Sequence, residues 1–245
     1  MKKKYSIGSW ITLNHPSIAE LMSNCGFDWL CIDLEHSVID YHETQILIST
    51  IQSKGIDAFV RVGKNNDLVI KRVLDAGADG IIVPMVNSKK DAVKAINSVK
   101  YPPIGKRGVG LARAQGYGFD FDNYKNKKED NIKLIVQIEH VDAVNNLEDI
   151  LSLEHIDGTF IGPYDLSGSM GKPGNYNDND VKEIINKYED LALKTNKLMG
   201  FHVIEPNHKL VIEKIEKGYN FIAFSLDTLF MGTIAKNEIS KIKSK

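Results

Sequence analysis

An α/β fold closed into a (βα)8 barrel, the TIM-barrel architecture, is what this sequence predicts, on three observations. Short apolar runs rich in β-branched residues recur along the 245 residues, each followed by a segment of helical periodicity. The runs are nearly continuous in apolar character, as in strands buried on both faces, which implies parallel pairing through helical crossovers. Eight such units can be counted, and eight in a chain of this length close most naturally into a barrel. The rival, a doubly wound open sheet, would carry a glycine-rich turn after its first strand, and that signature is missing. With no linker in view, residues 1–245 are expected to form a single barrel domain, which at this size buries about 70–75% of its unfolded surface.

The units follow in order. Tyr5–Thr12 reads as the first strand and Pro16–Cys25 as its helix, with Pro16 suited to the first turn and Gly26 to the stop. Asp28–Glu35 is next, followed by an amphipathic stretch from Asp40 to Ser53 that ends near Gly55. Asp57–Gly63 precedes the helix Asp67–Ala76, and Gly80–Val86 precedes a helix from Ser88 to about Asn97. A long irregular connection, Lys100–Asn131, then carries Pro102, Pro103 and many glycines. Loops of this length are usually functional or disordered, and its segment Gly105–Gly110 reads as a mobile active-site or subunit-contact loop. Beyond it come Lys133–Glu139, a helix Val141–Ser152, the strand Asp157–Pro163 and a glycine-rich connection Tyr164–Asp178. The helix Asn179–Thr195, the strand Lys197–Val203, the helix Glu205–Lys217, the strand Tyr219–Leu226 and a terminal helix complete the chain.

Composition removes several function classes. A formal net charge of −1 offers no electrostatic case for nucleic acid or an anionic membrane surface. No stretch approaches the roughly 20 apolar residues that span a bilayer. The basic start Met1-Lys2-Lys3-Lys4 leads into a segment too short and polar for a signal peptide. Cys25 and Cys31 cannot build a disulfide framework, so a reducing, cytoplasmic compartment is expected.

In a barrel of this kind, chemistry belongs at the C-terminal ends of the strands. There the second run ends Asp33-Leu34-Glu35-His36, the third Arg61-Val62-Gly63, the fifth Gln137-Ile138-Glu139 and the sixth Gly162-Pro163-Tyr164-Asp165. Gln137 and Glu139, two apart, share one face of their strand. Glu139 and Asp165, on neighbouring strands, offer two hard oxygen ligands, which favours Mg²⁺ or Mn²⁺ over zinc. Taken singly, each residue has a plainer reading: Asp165 or Glu139 as a helix cap, Arg61 as an ion-pair partner, His36 as a hydrogen-bonded structural histidine. Their convergence on one end of one barrel argues for a site. Gly105-Lys106-Arg107-Gly108-Val109-Gly110 lacks the spacing of a phosphate-binding loop. His202 is the only other histidine expected near the mouth.

These motifs resemble the class II pyruvate aldolases of the HpcH/HpaI type, within the phosphoenolpyruvate/pyruvate barrel superfamily. The matching pieces include Gly26-Phe27-Asp28-Trp29, Asp33-Leu34-Glu35-His36, Val60-Arg61-Val62, Leu74-Asp75-Ala76-Gly77-Ala78 and Val83-Pro84-Met85-Val86. Gln137-Ile138-Glu139, Ile161-Gly162-Pro163-Tyr164-Asp165-Leu166-Ser167 and Ser169-Met170-Gly171 continue the set in order. The resemblance implies a reversible cleavage of a 4-hydroxy-2-keto acid to pyruvate and an aldehyde through a metal-bound pyruvate enolate. It implies that Glu139 and Asp165 hold the cation, Mg²⁺ or Mn²⁺ with Co²⁺ as a further option. Substrate contacts would come from Arg61, Gln137, Gly162, Pro163, Tyr164 and Asp165. Arg61 would face the enolate oxygen, and His36 would serve as base with Asp75 supporting its basicity. Asp33 and Glu35 would stand behind the metal ligands. The resemblance also implies a homo-oligomer, trimeric or hexameric, with the apolar side of Asp227–Ile242 packed on a neighbouring subunit. Two departures concern the aldehyde side: Tyr164 stands where some relatives have a small residue, and His140 replaces a common threonine.

Rival readings are a Schiff-base aldolase, another reaction of the superfamily (hydrolase, decarboxylase or acyl-CoA lyase) and a catalytically silent structural barrel. The first needs a lysine inside the mouth. Lys64 falls beyond Gly63 in the loop, and Lys133 and Lys197 fall at the wrong strand ends.

Overall fold

The computed structural model describes residues 5–128 and 131–244, so the basic start Met1–Lys4 lies outside them. Among the described residues, β1 (Ser6–Ile11), β2 (Trp29–Asp33), β3 (Asp57–Arg61), β4 (Gly80–Val83), β5 (Lys133–Ile138), β6 (Gly158–Ile161), β7 (Leu198–Val203) and β8 (Phe221–Leu226) pair in parallel and close in chain order. The pairing of β8 with β1 seals the barrel, which is the (βα)8 architecture expected. Each apolar run of the sequence outlasts its strand by a few residues, because the ladder stops where the chain turns outward. Single bonds continue it: Leu34 N–H donates to Arg61 O at 2.9 Å and Gly162 N–H to Ile138 O at 3.1 Å. Those last residues are the polar ones, and they are thereby held just above the barrel.

The helices start where short polar side chains can take up free backbone N–H groups. They are α1 (Pro16–Ser23), α2 (Tyr41–Ser53), α3 (Asp67–Asp75) and α4 (Lys89–Val99), then α5 (Val141–Asn145), α6 (Leu147–Leu151), α7 (Pro163–Ser169), α8 (Asn179–Leu193), α9 (His208–Glu216) and α10 (Asp227–Lys243). Asp40 and Glu43 make a reciprocal capping box on α2, and Asn66, Ser88, Asp178 and Asn207 cap α3, α4, α8 and α9. Two expectations are corrected. The helix Val141–Ser152 breaks at Asn146, which ends α5 and whose side chain donates to Asn87 O at 2.9 Å. The connection Tyr164–Asp178 opens with α7, started by Pro163; its glycines obscured a helix that Leu166 buries.

Two layers of apolar side chains hold the fold. The outer one joins strands to helices. The inner one fills the barrel with Trp10, Trp29, Cys31, Phe59, Ile82, Ile135, Phe160, Phe221 and Ala223. Trp29 stacks on Phe221 with centroids 4.2 Å apart. Glycines make room for these rings: a Cβ on Gly8 would lie 2.0 Å from the Trp29 ring, one on Gly80 2.2 Å from Phe59, and one on Gly200 2.4 Å from Phe160.

The Lys100–Asn131 connection is not a loop over the strands' C-terminal ends. It links the end of α4 to the start of β5, so it lies at the opposite end of the barrel. It is also largely folded among its described residues, with a 3₁₀ stretch Arg113–Gly118, a helical turn Phe121–Asn123 and a π-type turn Tyr124–Lys128. Arg107 anchors it. Its fully buried side chain donates to Asp75 Oδ1 at 2.7 Å and Tyr124 Oη at 2.9 Å, with the Tyr101 ring centre 4.8 Å away. Arg113 adds bonds to Ala76 O at 3.0 Å and Gln52 Oε1 at 2.8 Å.

Removing a buried charged partner strands the other groups that met it. Arg107→Ala is therefore expected to cost about 3 kcal/mol in urea unfolding and to open residues 106–120 to limited proteolysis. A loss under about 0.5 kcal/mol, the range of an ordinary surface change, would show that the anchor is dispensable.

Candidate active site

The last residues of β2 and β3 meet in one bidentate ion pair. Arg61 Nε donates to Asp33 Oδ1 at 2.9 Å and its Nη2 to Asp33 Oδ2 at 2.6 Å. Glu35 Oε2 lies 3.4 Å from Arg61 Nε, and the Trp10 ring centre is 4.4 Å from the guanidinium carbon. Burial works to raise the Asp33 pKa, but Arg61 and the Glu35 and His36 N–H groups outweigh it, holding the carboxyl below its ordinary range. Burial dominates at Glu35, whose pKa is raised. Asp33 thus spends its oxygens on Arg61 and on the turn that carries Glu35 and His36. The His36 imidazole is exposed, its Nε2 3.8 Å from Glu35 Oε2.

Glu139, one residue past β5, is buried and tied on both sides. Its Oε1 accepts from Met85 N–H at 2.7 Å and its Oε2 from Gln137 Nε2 at 3.0 Å. Met85 holds a left-handed φ of 52°, a conformation a side chain rarely adopts. Gly162 leaves the space between the two acids open: a Cβ there would sit 3.3 Å from Glu139 Oε2 and 3.8 Å from Asp165 Oδ2. Glu139 is pushed up to about 7, first by burial and further by the nearby Glu35 and Asp165 carboxylates, against the Met85 N–H and Arg61. Neither acid serves as a cap, since Gly162 precedes α7 without a side-chain bond and His140 Nδ1 takes the Asp142 N–H at 3.1 Å on α5.

Gln137, whose amide nitrogen donates to Glu139, keeps its Oε1 buried without a hydrogen-bond partner, a third hard oxygen on a neighbouring side chain. Two carboxylates and an amide oxygen suit a hard divalent cation, which commonly takes one or two carboxylates and completes its shell with water and substrate. No group of three or more His, Cys, Asp or Glu side chains forms a metal cluster among the described residues, so the fit rests on this oxygen set.

Asp75 and His36 are not brought together. Asp75 ends α3, at the N-terminal end of the strands, where its carboxylate meets Arg107 at 2.7 Å and Gln115 at 3.3 Å. His36 follows β2 at the other end. The helix between β3 and β4 returns the chain across the barrel, so the two residues stand a strand's length apart. Among lysines, Lys133 pairs with Asp157 and Lys197 bonds Leu153 O and Ile156 O, both at that same far end.

Sequence reasoning missed Trp10 and Met85. Trp10 could have been found from strand parity, since it lies two residues from Gly8 on one face of β1. Met85 acts through a backbone N–H and leaves no side-chain signal. His202, expected near the mouth, points inward from β7 against Trp10 with ring centroids 5.6 Å apart. Neither Trp10 Nε1 nor His202 Nε2 has a hydrogen-bond partner.

The sequence and the fold match known proteins over nearly the whole chain. The sequence pattern of HpcH/HpaI aldolase/citrate lyase covers residues 6–231. The chain belongs to the HpcH/HpaI aldolase/citrate lyase family. It is 37% identical to a hydroxypyruvate/pyruvate aldolase of Sagittula stellata, over 94% of this chain and 90% of that one. It is 33% identical to a 2-keto-3-deoxy-L-rhamnonate aldolase of Escherichia coli, over 99% of this chain and 91% of that one. A crystal structure of a family protein from Burkholderia cenocepacia superposes with a TM-score of 0.91 at 27% identity, covering 98% of this chain and 95% of that one. Membership makes the chain an aldolase-type lyase, and the class II aldolases of this family imply a divalent metal.

Burial, then Arg61, lowers the His202 pKa to about 4, against about 6.5 unfolded. Protonation therefore favours the unfolded chain: this contribution is intact above pH 6.5 and is lost as the pH falls towards 4. Over that window the unfolding constant should rise by up to about tenfold per pH unit, and His202→Asn should flatten the slope. An unchanged slope in denaturant titrations would contradict the assignment.

Proposed function

We propose that this protein is a divalent-metal-dependent aldolase that reversibly cleaves a 4-hydroxy-2-keto acid to pyruvate and an aldehyde. One observation carries the reading: Glu139 and Asp165 flank the space left open by Gly162, beside the unpartnered Gln137 Oε1. Glu139, Asp165 and Gln137 are the residues that would hold Mg²⁺ or Mn²⁺, with Co²⁺ as a substitute. When bound, such a cation acts as a Lewis acid toward a 2-keto acid.

The chain's own groups supply the rest. In the cleavage direction a base removes the proton of the C4 hydroxyl, the C3–C4 bond breaks, and its electron pair passes into the pyruvate enolate as the aldehyde leaves. His36, exposed above Glu35, is the base, acting through water. Arg61, fixed by both Asp33 oxygens, presents positive charge where the enolate oxygen develops, and one such fixed donor contributes about 3–4 kcal/mol. Gly162, Pro163 and Tyr164 line the substrate side of Asp165. Among the described residues no buried lysine near the mouth supports Schiff-base chemistry, and the acids around Arg61 speak against a silent barrel. Among the described residues no helix is long and apolar enough to cross a membrane. A cytoplasmic enzyme of small-molecule substrates is the reading we adopt.

Pyruvate enolisation tests this without knowledge of the aldehyde. With Mg²⁺ or Mn²⁺, the methyl protons of pyruvate should exchange with deuterium by NMR, and EDTA or Glu139→Ala should abolish exchange. Arg61→Lys, which loses the bidentate fork, should slow it by about 100-fold or more. No exchange with any divalent cation would overturn the reading.

We also propose a homo-oligomer, trimeric or hexameric, through α10. Only Asp227 of that helix is buried, while Met231, Ile234, Ile239 and Ile242 are 50–68% exposed. Light scattering is expected to give at least a trimer's mass, and a monomer would count against an α10 interface.

A further inference from the structure

Two unfavourable features lie beside Arg61, and the chemistry above uses neither. The first is in the sheet. β1 and β8 keep register from Ser6 to Gly8, opposite Phe221 to Ala223, and then shift, so that Trp10 pairs with Leu226. Gly8 to Trp10 is two residues and Ala223 to Leu226 is three, so β8 carries one extra residue, a β-bulge. Ser225, inside the bulge, holds a left-handed φ of 52°, which serine rarely adopts. It is buried, and its carbonyl accepts from Ser9 Oγ at 3.2 Å. A bulge at the rim of a barrel re-aims the side chains beside it, and here the neighbour is Trp10.

The second feature is the indole itself. Trp10 is buried, and its Nε1–H has no hydrogen-bond partner. A phenylalanine would fill the interior without stranding a donor. What the indole adds is its face, the strongest aromatic attractor of a cation. The Arg61 guanidinium lies over that face, its carbon 4.4 Å from the ring centre. Phe160 and His202 meet Trp10 at 75° and 66°, with centroids 5.8 Å and 5.6 Å away, and so fix its tilt. Burial, then Arg61, keeps His202 neutral at neutral pH, so this clamp adds no second positive charge.

Asp33 does not fix Arg61 alone. Its two bonds run along one edge of the guanidinium and leave the group free to hinge about that edge. A ring across the face stops the hinge. The cation of the aldolase reading repels the guanidinium, which increases the need for such a restraint.

We propose that Trp10 is a positioning residue for Arg61, aimed by the bulge at Ser225, clamped by His202 and Phe160, and holding the plane in which the guanidinium meets the enolate. The inference rests on the aldolase reading and adds to it a residue that acts through Arg61.

The test is pyruvate proton–deuterium exchange with Mn²⁺. Trp10→Leu, which removes the face and stays apolar, should lower kcat about tenfold. Trp10→Phe, which keeps a weaker face, should lower it about threefold, with the KM for pyruvate within about twofold in both. A merely structural residue would lose as much in any background. In Arg61→Lys, whose ammonium has no plane to hold, Trp10→Leu should therefore lower kcat less than about twofold. In the metal-free protein, solvent exchange of the Arg61 Nε–H proton, followed by NMR, should quicken several-fold in Trp10→Leu. If Trp10→Leu does not fold, Trp10→Phe carries the same comparisons. A full rate in both variants, an equal loss in the Arg61→Lys background, a loss confined to KM, or an unchanged Nε–H exchange overturns the positioning role and leaves the enolate chemistry standing. An intact protein that does not exchange pyruvate protons overturns both.

Discussion

A closed barrel has an interior that only side chains can fill, and here four large rings fill it. Trp29, Phe59, Phe160 and Phe221 occupy the lower and middle layers, each ring or its neighbour given room by a glycine on a strand. Nothing polar can be paired among those rings, so charged groups are admitted only where the rings stop, at the C-terminal ends of the strands. The transition is made by Trp10, whose ring faces apolar Phe160 on one side and the Arg61 guanidinium on the other. The position of Arg61, and with it the rest of the site, depends on this boundary.

Above the boundary the charges do not balance. Asp33 satisfies Arg61, which leaves Glu35, Glu139 and Asp165 close together with little positive charge between them. Such a cluster is costly, and backbone and amide hydrogen bonds to Glu139 offset only part of the cost. Functional sites accept arrangements that are unfavourable for stability when a ligand relieves them. A divalent cation would relieve this one, and the left-handed backbone at Met85, held there to present an N–H to Glu139, belongs to the same arrangement.

Much of this could be read beforehand. Strands buried on both faces have a strong apolar signature, so all eight were placed, and the residues that end them were named as the site. What failed was anything set by the path of the chain between elements. The Lys100–Asn131 connection looked mobile from its glycines and prolines, yet a buried arginine packed between two tyrosines holds it. Asp75 matched a motif in sequence order, and within the single chain the turn of α3 carries it to the end of the barrel opposite His36.

The amino-acid sequence by itself determined the strand–helix alternation and the closed parallel barrel, and it put Arg61, Gln137, Glu139 and Asp165 at strand ends, because periodicity and strand ends are local properties. Only the tertiary structure decided which acid pairs with Arg61 and that Gly162 opens the space between Glu139 and Asp165. Those are contacts between segments far apart in the chain. Their distances depend on barrel closure and on how each connection folds back, and no local pattern encodes either.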